Sequence, residues 1–80
     1  MDIDGYNVRP SRHFVLGWMR KWDYDIIMLR QVIENAYKVD KVGKNKYEIY
    51  FRAKGKSRKL ILIKDEIYKE VFIITGAEGQ

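Results

Sequence analysis

The 80-residue chain contains no cysteine, only one histidine and only one proline. Without cysteine there can be no disulfide and no thiolate metal site. A lone His13 rules out a multi-histidine site, and the carboxylates lack the spacing of a calcium loop, so neither a metal nor a cofactor is expected. Serine is almost as scarce: Ser11 and Ser57 stand alone, outside any G-x-S-x-G elbow. Neither a G-x-x-x-x-G-K nor a G-x-G-x-x-G phosphate loop occurs. Apolar runs stop at four residues, far short of a bilayer span or a signal-peptide core. Residues 1–80 therefore read as a single domain in a reducing, cytoplasmic setting, without membrane contact. A domain this small buries about 60% of its unfolded surface, enough for a modest core.

Aromatic side chains and positive charge are what the chain has in plenty. Six Tyr, three Phe and two Trp supply much of the buriable area, and the net charge is +5. That charge is segregated. Between Lys38 and Lys64 ten cations meet only Asp40 and Glu48, a net of +8, whereas the remaining residues sum to −3. Segregated positive charge attracts polyanions, chiefly nucleic acid or an acidic protein partner. The plainer alternative is that lysine merely protects an exposed sheet edge from aggregating.

The order of elements follows from hydrophobic period and punctuation. Ser11 is a suitable N-cap for a helix in which Phe14, Trp18 and Trp22 share one face with Val15 and Met19, Gly17 marking close packing. A second helix is expected over "DYDIIMLRQVIENAY", capped by Asp23, with Ile26, Leu29, Ile33 and Tyr37 on one face and Ile27 extending it. After Tyr37 the period falls to two. "YKVDKV" alternates, "GKNK" turns, and "KYEIYFRAK" puts Tyr47, Ile49, Phe51 and Ala53 on one face. "KGKS" forms a turn at Gly55, the run Leu60–Ile63 belongs to a central strand, and "VFIIT" is a last strand ended by "GAEGQ". Residues 1–9 read as an edge strand or a tail. The expected fold is α+β: a helix–helix pair followed by an antiparallel sheet of three to four strands, with the helices on one face.

Tyr50, Arg52 and Lys54 would then point from the open face, beside the turn cations Lys56 and Arg58. Lys46, Arg52, Lys54, Lys56, Arg58 and Lys59 form the candidate nucleic-acid-binding set. Tyr50 and Tyr68 are candidates for stacking on unpaired bases. If the protein is catalytic, His13 carries the one imidazole suited by type to acid–base work, and Arg52 and Tyr50 complete the candidate set. The ordinary reading of each is a solvated charge, a packed ring or a helix-end histidine.

The succession "RHFVLGWMRKWDYDIIMLRQVIENAYKV", "GKNKYEIYFRAKGKSRKLILI" and "VFIITG" resembles a family of short proteins of unknown function (DUF 4258), a branch of the RelE/BrnT-like toxin superfamily. The resemblance spans roughly residues 12–76. It places His13 at the family's histidine, Tyr47 and Arg52 on the first long strand, Arg58 and Leu60 on the next, and Thr75 at the end of the last. Where the family carries an arginine four residues after the histidine, this chain has Gly17, with Arg20 the nearest substitute. The resemblance implies a RelE-like fold and metal-independent endoribonuclease activity on RNA, countered by an antitoxin. A non-catalytic nucleic-acid-binding module, or a small partner-binding protein from a mobile element or virus, remains the alternative.

Overall fold

The computed structural model describes residues 1–79. Strand β1 (Asn7–Pro10) comes first. A helical stretch, α1, follows in three continuous segments, Arg12–Phe14, Val15–Met19 and Arg20–Trp22, the middle one wound as a π-helix. Helix α2 is Ile26–Glu34, and the chain then builds β2 (Lys38–Lys41), β3 (Lys46–Ala53), β4 (Lys56–Asp65) and β5 (Glu70–Glu78). The result is α+β, with one five-stranded sheet in the order β1-β5-β4-β3-β2. No helix of the described residues is long and apolar enough to cross a membrane.

The sheet is larger than the three or four strands expected. Residues 7–10 form an edge strand parallel to β5, before the helices rather than after them. Pro10, which has no N–H to give a ladder, is tolerated at such an edge. The other pairings are antiparallel, and β4 holds the central position that its apolar run suggested.

The inner face is packed by Ile49 and Phe51 of β3, Leu60 and Leu62 of β4, and Val71 and Ile73 of β5. Against them lie Phe14 and Trp22 of α1, Leu29 and Ile33 of α2, and Ile3 from the N-terminal segment. Ser11 caps α1, accepting from the Phe14 amide at 3.0 Å, and its hydroxyl donates to the Ile74 carbonyl at 2.7 Å. One serine thus starts the helix and pins it to β5.

Three helix expectations change. Asp23 does not begin α2; it ends α1 in the left-handed conformation (φ 57°), and Asp25 is the cap, accepting from the Met28 amide at 2.8 Å. Of the face assigned to α2, Leu29 and Ile33 are buried, but Ile26 and Ile27 are exposed and Tyr37 lies beyond the helix. Gly17 is not a close-packing site, since nothing lies within 4 Å of where its Cβ would be. It sits instead in the π-wound segment. At 3.6 residues per turn, eight residues overshoot two turns by about 80°, and the wider winding takes that back. Phe14 and Trp22 therefore both reach Gly76.

The last strand is also longer than "VFIIT", running through Gly76 to Glu78. Gly76 does not end it. A Cβ there would stand 2.9 Å from the Trp22 ring and 3.2 Å from Phe14, so the missing side chain is what lets α1 lie on β5.

Candidate functional site

Register decides which side chains reach the open face. Lys54 (φ 52°) and Gly55 (φ 75°) make a two-residue hairpin turn, so Ala53 pairs with Lys56, Arg52 with Ser57, Phe51 with Arg58 and Tyr50 with Lys59. Ile49 and Phe51 are buried under the helices. Tyr50, Arg52, Ser57 and Lys59 consequently point the other way.

Arg58 is the exception to the expected patch. It shares the inner face with Phe51, and its side chain is only 8% exposed. The guanidinium lies 4.8 Å from the centroid of the Trp22 ring, donates to the Tyr24 hydroxyl at 3.1 Å and pairs with Glu78 at 3.6 Å. Glu78 also accepts from Lys21 at 3.3 Å and from the Trp22 indole at 3.2 Å. Lys21 first, then the indole and the nearby Arg58 charge, hold the Glu78 carboxyl below its ordinary value against the opposing effect of burial. Arg58 is a structural cation of the β5–α1 junction, not part of the open face.

The remaining cations differ in how they are paired. Lys59 pairs with Glu48 at 3.6 Å, and Lys38 with Asp40 at the same distance. Among the described residues no carboxylate lies within 4.0 Å of Lys46, Arg52, Lys54 or Lys56. Arg52, Lys54 and Lys56 all belong to the β3–β4 hairpin, Arg52 on the outer face, Lys54 in the turn and Lys56, opposite Ala53, on the other face. Lys46 begins β3 at its other end, about 20 Å away along the strand.

An aromatic group adjoins the hairpin cations. Tyr37 enters β2 through its amide bond to the Tyr50 carbonyl, and its hydroxyl meets the Ser57 hydroxyl at 2.6 Å. The Arg52 guanidinium is 4.8 Å from the centroid of the Tyr37 ring, and the Tyr50 ring is 6.4 Å from Tyr37 at 45°. Lys38 and Lys59, from the strands flanking β3, lie 5.1 and 5.9 Å from the Tyr50 centroid. Beside the tyrosines opens a cleft of about 430 Å³, lined in part by Ser57, Ala77 and Gly79. Three small residues next to two large rings leave this space. Tyr50 donates to Glu48 at 3.0 Å, and that bond, followed by burial and nearby negative charge, raises its pKa, so the phenol stays protonated.

The candidate catalytic residues do not converge. His13 is exposed on the first turn of α1, in the helical layer, and the sheet separates it from Tyr50 and Arg52. Tyr68 is 81% exposed on the β4–β5 turn, away from the β3–β4 hairpin. Tyr47 and Leu60 face inward, and Thr75 pairs with Ile61. Tyr37 and the small-residue cleft were missed by sequence reasoning. Asn35, which caps α2, was the available sign that Tyr37 had left the helix. The chain matches no family model, no curated protein and no solved structure.

Proposed function

We propose that the protein is a single-stranded nucleic-acid-binding module, with RNA as its foremost ligand, acting through the β3–β4 hairpin and the adjoining outer face. The observation that carries this reading is the concentration of Arg52, Lys54 and Lys56 at one hairpin, none with a carboxylate within 4.0 Å among the described residues, with Arg52 beside the Tyr37 and Tyr50 rings. Unpaired cations neutralise phosphates and release counterions, while tyrosine and arginine planes take unstacked bases without regard to sequence. A purely protective role for lysine does not account for the rings.

The endoribonuclease activity implied by the family resemblance is the stronger form of the same proposal. It needs a base for the 2′-hydroxyl near the phosphate-binding cations. Tyr50 keeps its proton and His13 lies across the sheet, so we adopt the binding form. An antitoxin or other acidic protein would compete for the same cations.

The test is fluorescence anisotropy with mixed-sequence single-stranded RNA over a range of salt, with EDTA present and RNA length monitored. Replacing Arg52, Lys54 and Lys56 together by Ala should weaken binding and lower its salt slope by about two, with an unchanged circular dichroism spectrum. Unchanged affinity would sink the proposal. Cleavage that disappears in Arg52→Ala would promote the nuclease form.

A further inference from the structure

Resting on that reading, the geometry points to a ligand class: we infer that the cleft beside Tyr37 takes one unstacked nucleotide and distinguishes ribose from deoxyribose. At about 430 Å³ its volume falls toward the lower end of small-ligand clefts, roughly 300–1,000 Å³. That is room for a single nucleotide and not for a duplex. The surroundings divide by chemistry. The Tyr50 and Tyr37 rings offer an aromatic wall to a base. Lys59 and Lys38 flank Tyr50, each also paired with a carboxylate, so a base that displaces them from the ring keeps its phosphate within their reach.

Arg58 and Glu78, paired with each other at 3.6 Å, also border the cleft, and its neutral polar feature is the Tyr37–Ser57 hydroxyl pair at 2.6 Å. Each hydroxyl can donate one hydrogen bond and accept others, so the pair, with one proton used internally, still offers a donor and free acceptor sites. A 2′-hydroxyl is itself both donor and acceptor and can join the pair at both ends. A deoxyribose leaves the pair as it is and gains nothing. Ala77 keeps the space open from β5 without any polar contact of its own.

Anisotropy titrations with labelled single-stranded RNA and DNA of the same sequence test this, using the full chain and Ser57→Ala, Tyr37→Phe and Ala77→Phe variants checked for native circular dichroism. The full chain should bind RNA about tenfold more tightly, the worth of one net hydrogen bond. Ser57→Ala and Tyr37→Phe should bring the two affinities together by weakening RNA binding and sparing DNA. Ala77→Phe, which fills the cleft and removes no charge, should weaken both ligands and abolish the preference. Equal affinity of the full chain for RNA and DNA, or a preference that survives all three substitutions, would overturn the inference and leave the binding reading intact. Binding of neither ligand would overturn both.

Discussion

At the scale of single residues, Lys54 is the most informative position. It occupies the first centre of a turn in which both central residues have positive φ, a place that favours Asn or Gly. A lysine there gives up about 1 kcal/mol, and among the described residues this cation has no carboxylate within 4.0 Å. Lys54→Asn should therefore raise stability, by up to about 1 kcal/mol in urea denaturation, while weakening RNA binding. Gain in stability without loss of binding would show that the lysine serves only to protect the hairpin. Arg58 carries the complementary lesson. The sequence marks a turn at Gly55 but not its length, and a shift of one residue moves every side chain to the other face. The two-residue turn puts Arg58 opposite Phe51, where Trp22, Tyr24 and Glu78 accommodate its charge.

Between elements, the contact between β5 and α1 matters most. Gly76 provides the space and Glu78 the polar clamp, joining Lys21 and Trp22 of α1 to Arg58 of β4. Because the folded state depresses the Glu78 pKa, the clamp contributes fully above the unfolded value of about 4.3. Its contribution is lost as pH falls through the lower, folded value. Thermal melts should show a midpoint that drops below about pH 4.3, and Glu78→Gln should reduce that drop while lowering the midpoint at neutral pH. An acid limb identical in the variant would assign it to other carboxylates. This junction was hard to read from the chain because glycine near the end of an apolar run ordinarily signals a stop. Only the rings of Phe14 and Trp22 above it give Gly76 its meaning.

Over the whole molecule, one core joins every layer. Ile3 from the N-terminal segment, both helices and the three inner strands meet in the same cluster of buried side chains. No element has an apolar partner set of its own, so cooperative unfolding is expected. Tryptophan fluorescence, which reports on Trp18 and Trp22, and far-ultraviolet circular dichroism should give superimposable urea transitions with a slope of roughly 1 kcal/mol per molar. Separate transitions would mean that the helical layer detaches from the sheet. Charge is distributed on a different plan from the core. Acids on the outer face offset Lys38 and Lys59, so the +8 between Lys38 and Lys64 does not become one continuous patch. The unpaired part is split between the β3–β4 hairpin and the start of β3 near Lys46.

The amino-acid sequence alone determined the α+β class, the Ser11 cap, the alternating faces of β3 and the central place of β4. Each of these depends on residues a few positions apart, whose period or capping chemistry is local. Tertiary structure decided the parallel edge strand at residues 7–10, the burial of Arg58, the passage of β5 through Gly76 and the meeting of Tyr37 with Ser57. Those outcomes depend on pairing register and on contacts between distant segments. Neither is encoded in a period that can be read along the chain, and both fix which face a given charge or ring finally presents.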